Sequence, residues 1–122
     1  MDKTPKFIKM CDCPEIQGQW KPKWGDFVSD DGLIFPLSTV RIDKEDVIWL
    51  PRQDQLQDMV FDNTIGMQSR CCAIYEFSIS VEGANFCLDD GSMEQLWLVA
   101  IMDWKFNKRW DKEKEEWVEV NQ

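Results

Sequence analysis

Five cysteines, Cys11, Cys13, Cys71, Cys72 and Cys87, are the residues of this chain whose type and spacing best suit site chemistry. Cys11 and Cys13 flank one aspartate, Cys71 and Cys72 are adjacent, and Cys87 follows one hairpin later. Three short segments can therefore bring four thiolates round one ion. A structural zinc site takes four soft or borderline ligands in a tetrahedron. The chain contains no histidine, so the ligands must be cysteines, with Asp12 or another carboxylate as a supplement. The expected zinc ligands are Cys11, Cys13, Cys72 and Cys87, leaving Cys71 over. The spacing is not that of a Cys-x-x-Cys knuckle, and in a strand Cys71 and Cys72 would point to opposite faces unless a bulge intervened. Free cysteine is also a small buried hydrophobe, so a core role stands beside the metal role. An odd number of cysteines with no signal-peptide core after Met1 to Lys6 argues for reduced thiols over a disulfide framework.

Carboxylates form the second constellation. They cluster at Asp30-Asp31, Asp43-Glu45-Asp46, Asp89-Asp90 and Glu113-Glu115-Glu116, within a formal net charge of −9. That charge disfavours direct binding to nucleic acid or to an anionic membrane and favours a basic partner. Asp30, Asp31, Asp89 and Asp90 are the candidate partner-binding residues. Both Asp-Asp pairs precede glycine, so turn chemistry accounts for them equally well. The basic and aromatic mixture of Lys21, Lys23 and Trp24 with Lys105 to Trp110 has the composition of a stacking platform. In so acidic a chain, core tryptophans and helix-end cations are the expected explanation.

The parts of an enzyme are missing. There is no imidazole base and no glycine-rich phosphate loop, and Ser78, Ser80 and Ser92 lack a nucleophile-elbow setting. Catalysis is not expected.

The elements that must position these groups follow from patterning. At 122 residues and 43% hydrophobic content the chain is expected to fold as one domain over residues 1–122. No apolar run approaches the roughly 20 residues that span a bilayer, so a cytoplasmic location is expected. The chain is organised around Ser92 to Trp110, read as a helix. Ser92 is its cap, Gln95 sits at the third position of a capping box, and Leu96 to Met102 is apolar on every face. Before it, Phe7 to Cys11 has helical spacing, and Pro14 either ends that helix or opens a second turn through Ile16 to Trp20, a broken helical entry being the favoured reading. Phe27-Val28-Ser29 and Leu33-Ile34-Phe35 flank Asp30-Asp31-Gly32 as an antiparallel hairpin, with Val40-Arg41-Ile42 extending its second strand. Val47 to Leu50 is a compact apolar run before a helix from Pro51 to Val60. Cys71 to Ile79 alternates with period two and is expected as a strand. Trp117 to Val120 is a further edge or hairpin strand. The fold class is α+β, a small antiparallel sheet packed with a central C-terminal helix and shorter helices.

Three blocks also carry a resemblance. They are Phe7-Ile8-Lys9-Met10-Cys11 with Glu15-Ile16-Gln17 and Trp20, then Ile48 to Gln57 (IWLPRQDQLQ), then Met93 to Leu98 (MEQLWL) with Phe106-Asn107-Lys108. Their order and content resemble a family of short open reading frames in phages and prophages of Gram-positive bacteria. The blocks cover under half the chain. The resemblance implies a phage accessory protein, and small acidic proteins of that origin include anti-CRISPR inhibitors. The expected function is accordingly inhibition of a type II RNA-guided CRISPR nuclease, the partner being bound through the acidic surface so that target DNA is not loaded. The alternative is a zinc-stabilised phage scaffold or modulator that binds a host or phage protein through an apolar patch. Salt separates the two, because an acidic interface weakens with ionic strength and an apolar one does not. A thiol redox sensor using Cys71 and Cys72 is a third expectation.

Overall fold

Among the described residues, two proline-led helices and a three-stranded sheet belong to the first part of the chain, and three helices with a two-stranded sheet to the rest, an α+β architecture. The computed structural model describes residues 2–38, 43–61, 66–80 and 92–120. They fall into two compact units, Met1–Arg52 and Gln53–Gln122.

In the first unit, α1 (Pro5–Cys11) starts with proline at a position where no amide hydrogen is needed, and Thr4 Oγ1 accepts the Phe7 N–H at 3.3 Å. Asp2 accepts from both the backbone and the hydroxyl of Thr4, which holds the cap in place. Helix α2 (Pro14–Gln17) follows after Asp12 and Cys13, so the entry is a broken pair of helices as the prolines imply. Phe7, Met10, Cys11 and Ile16 point inward and are buried.

Strands β1 (Phe27–Asp30) and β2 (Leu33–Pro36) pair antiparallel with Asp30 opposite Leu33. Between them Asp31 (φ 52°) and Gly32 (φ 87°) both take positive φ, the type I′ geometry whose twist matches that of a hairpin. The apolar run before Pro51 supplies β3 (Ile48–Leu50), which pairs with the other edge of β1 and sets Trp49 against Val28. The sheet order is β2-β1-β3. Trp49 stacks nearly parallel on Trp20, centroids 6.1 Å apart, and α1 lies against β3. The expected strand extension at Val40-Arg41-Ile42 lies outside the described residues.

In the second unit, α3 (Gln53–Asp58) begins two residues after Pro51 and buries Leu56. Helix α4 (Met67–Ser78) corrects the sequence expectation of a strand at Cys71 to Ile79. The period-two alternation there is genuine, but Arg70, Ile74 and Phe77 recur at helical spacing. Ile74 and Phe77 are buried, and the Phe77 ring meets Trp104 edge-on at 5.5 Å. Packing on this face overrides the β-propensity of the run.

Helix α5 (Met93–Phe106) has the expected cap, with Ser92 Oγ accepting the Gln95 N–H at 3.1 Å. Gln95 to Met102 is buried without a break, as an all-round apolar run requires. The helix stops at Phe106, short of the expected Trp110. Asn107 adopts the left-handed conformation (φ 55°, ψ 44°) and its N–H bonds Met102 O, a termination that asparagine tolerates well. The chain then forms β4 (Lys108–Asp111) and β5 (Glu116–Glu119), in which Trp110 faces Trp117 across the hairpin. Their rings lie 5.1 Å apart. Phe61 and Trp97 complete an aromatic cluster with Trp104 on α5. No helix among the described residues is long and apolar enough to cross a membrane.

Candidate functional site

The cysteines separate into two environments. Cys11, in the last turn of α1, is fully buried, and Cys13, just before α2, is nearly so. The Cys13 thiol points toward Met10 O at 3.8 Å, a weak donor satisfied by backbone. Burial pushes the Cys11 thiol well above its ordinary pKa, with Cys13, Asp2 and Asp12 adding to the effect. Cys71 and Cys72 are exposed on α4. Because that segment is helical, they are set about 100° apart round the axis instead of on opposite faces of a sheet. Of the expected ligands, then, Cys11 and Cys13 belong to the first unit, Cys72 to the second, and Cys87 lies outside the described residues. Among the described residues no three cysteine or carboxylate side chains gather at one point.

The acidic candidates also differ in setting. Asp30 ends β1 and Asp31 holds a positive-φ position in the hairpin turn. Both are exposed. Asp89 and Asp90 lie outside the described residues. Counted over the sequence, residues 1–52 carry 8 cationic and 9 anionic side chains, whereas residues 53–122 carry 6 and 14. Nearly all of the net charge of −9 therefore belongs to the second unit, and Asp30 and Asp31 sit in one that is almost neutral. In the second unit the β4–β5 turn presents Glu113, Glu115 and Glu116, all exposed. Asp111 serves the turn itself, its Oδ1 accepting the N–H groups of Glu113 and Lys114 at 3.0 and 3.1 Å. Asp111 and Glu116 face each other across the strands, a like-charge pairing that costs stability, and with the exposed Lys112 and Lys114 the turn carries four carboxylates against two ammonium groups.

The basic and aromatic loop divides in an unexpected way. Trp20 is in the core, as the composition suggests, but Trp24 is 80% exposed. Its turn is firmly held. Asp26 N–H bonds Lys23 O, Gly25 N–H bonds Leu37 O, and Leu37 N–H bonds Asp26 O. The buried Asp26 carboxylate accepts the Trp20 indole N–H at 3.0 Å and the Lys23 N–H at 2.9 Å, with Arg52 at 3.9 Å from its other oxygen. Gly25 at φ 89° makes the turn type II, with Trp24 at the outer corner.

No protein-family profile, curated protein or solved structure matches the chain. The expected likeness to phage open reading frames is carried by three sequence blocks alone. Those blocks map to structural positions. Gln17 and Trp20 meet Trp49 in the first unit, and the third block begins α5.

Sequence reasoning missed one exposed group, the apolar side chains of α4. Tyr75 and Ile79 are 65% and 64% exposed. Counting the segment at three- and four-residue steps, instead of two, puts both on one row with Cys72.

Proposed function

We propose that this chain is a phage-encoded inhibitor of a bacterial type II RNA-guided CRISPR nuclease, acting through the acidic surface of its second unit. The observation that supports this is the placement of the charge: 14 carboxylates against 6 cations in residues 53–122. Such nucleases hold the guide–target heteroduplex in a positively charged channel and must read a short duplex motif before opening the target. A protein that covers those cations competes with DNA through the counterion-release term that drives DNA loading. No covalent chemistry is needed. Within the unit, the exposed carboxylates of the β4–β5 turn are better placed for this role than Asp30 and Asp31, which have turn duties in a nearly neutral unit.

The test is inhibition of target cleavage by a purified type II nuclease as salt is raised, using two double variants. Glu113→Lys with Glu116→Lys reverses charge at the second hairpin, and the new lysine opposite Asp111 replaces a repulsion with an attraction, so folding is kept. Asp30→Asn with Asp31→Asn neutralises the first hairpin while retaining a residue type that accepts positive φ. Inhibition is expected to fall by about tenfold or more in the first variant, to change little in the second, and to weaken steeply with ionic strength. Equal inhibition by the wild type and the Glu113/Glu116 variant, or no inhibition by the wild type, rejects the proposal.

A further inference from the structure

The basic and aromatic turn of the first unit is a motif that the acidic surface leaves unused. Trp24 is 80% exposed, although a tryptophan ring gains more than most side chains from burial. The turn keeps it there. Three backbone hydrogen bonds and the buried Asp26 carboxylate fix the corner, so the ring stands on a rigid support and little order is lost when a partner packs on it. Two ammonium groups accompany it. Lys21 and Lys23 are exposed, and among the described residues neither enters an ion pair, in a chain of 23 carboxylates and 14 cations. Pro22 between them fixes its own φ and keeps Lys21 extended. The two Cα atoms are therefore about 6 to 7 Å apart, the scale on which phosphates succeed one another along an extended single strand. A third ammonium group, Lys44 Nζ, is held at the Trp20 carbonyl next to Lys21. Its loop also carries Asp43, Glu45 and Asp46, all exposed, so the cationic strip is short.

The net charge of −9 does not exclude a polyanion from this turn. Residues 1–52 carry 8 cations and 9 anions, and two of those anions, Asp2 and Asp26, are buried. At physiological salt, exposed charges more than about 8 Å apart are largely screened, so a bound strand responds to the turn itself. We propose that the Trp24 turn binds single-stranded nucleic acid, one base stacking on the Trp24 ring while the adjoining phosphates meet Lys21 and Lys23. A duplex keeps the faces of its bases covered, so single strands are selected. An acidic peptide satisfies the two lysines but leaves the ring without a planar partner. The site belongs to the first unit and its test needs no nuclease, so it stands or falls apart from the inhibitor reading.

Fluorescence anisotropy of a short labelled oligothymidylate, titrated with the full chain at physiological salt, tests this. Trp24→Ala is expected to raise the dissociation constant by about tenfold, and Trp24→Phe, which keeps an aromatic face, by much less. Lys21→Gln with Lys23→Gln removes both phosphate contacts and is expected to weaken binding by about tenfold as well. All three side chains are exposed, so these variants keep the fold, which circular dichroism checks. An abasic strand of the same length retains the phosphates without the bases, and it is expected to bind far more weakly than the oligothymidylate, as is a duplex of matched length. No binding by the wild type up to about 1 mM protein, or an affinity unchanged by Trp24→Ala, overturns the proposal. So does an abasic strand, a duplex or a polyglutamate peptide that binds as tightly as the oligothymidylate, the last of these assigning the turn to an acidic protein segment.

Discussion

The side-chain amide of Gln17 pairs with the backbone of Trp49 in both directions. Gln17 Oε1 accepts the Trp49 N–H at 2.9 Å, and Gln17 Nε2 donates to Trp49 O at 3.0 Å while also reaching Cys11 O at 2.9 Å. One side chain thus occupies the outer edge of β3 as a further strand would, and ties that edge to the end of α1. Replacing it leaves strand and helix groups without partners, each costing about 1 to 3 kcal/mol when buried. Gln17→Leu is expected to lower unfolding free energy by roughly 3 kcal/mol in urea melts. Gln17→Glu should do comparable damage, since a carboxylate keeps the acceptor but turns an oxygen toward two carbonyls. A loss below about 1 kcal/mol in both variants would show that the edge is satisfied without Gln17.

A pH dependence follows from Cys11. Burial raises its pKa above the ordinary 9.0, so in the metal-free protein the folded state favours the neutral thiol. The associated stability is complete below pH 9.0 and is lost as pH rises from there through the folded value, because the unfolded chain gives up its proton first. Each pH unit in that window is worth up to about 1.4 kcal/mol for one proton. Unfolding free energy measured from neutral to alkaline pH should therefore decline less steeply in Cys11→Ala than in the wild type. Parallel slopes would mean that the thiol ionises equally well in both states.

Zinc makes the opposite demand on the same residue, since a ligand must be a thiolate. If Cys11, Cys13, Cys72 and Cys87 hold the ion, purified protein contains about one zinc per chain, and a strong chelator lowers the melting temperature sharply. Elemental analysis before and after chelation, with melting followed in parallel, checks both points. Protein without metal that melts identically with and without chelator assigns Cys11 and Cys13 to the core and Cys72 to the surface of α4.

Much of the fold was legible because local chemistry sets it. Ser92 and Gln95 mark the start of α5, and Asp30-Asp31-Gly32 fixes the first hairpin, since only positive φ at the two central residues matches the strand twist. Pro14 marks the break between the first two helices. What was misread depended on partners distant in sequence. Cys71 to Ile79 alternates well enough for a strand, and only the packing of Ile74 and Phe77, with Phe77 against Trp104, makes the helical period the effective one. The end of α5 was misplaced because Asn107 is a quiet signal beside the run of cations after it. The site was less legible still. Cysteine counts give no positions, and net charge does not say which unit carries it. The exposure of Trp24 is set by a turn whose holding carboxylate, Asp26, looks in sequence like any other aspartate.

Asn107 joins more than a helix to a strand. Besides ending α5, its carbonyl accepts the Val120 N–H at 3.0 Å and its side-chain amide reaches Val120 O at 3.4 Å, closing a loop of 13 residues. The clasp of the first unit, Gln17 to Trp49, spans 32. Loop closure grows dearer with length, by roughly 0.8 kcal/mol between these two spans, and short-range contacts form faster than long-range ones. The closure by Asn107 is accordingly the one of the two clasps expected to form sooner. The wider of these two clasps lies nearer the N-terminus and leaves the ribosome first, so chain synthesis gives its two ends a head start in finding each other.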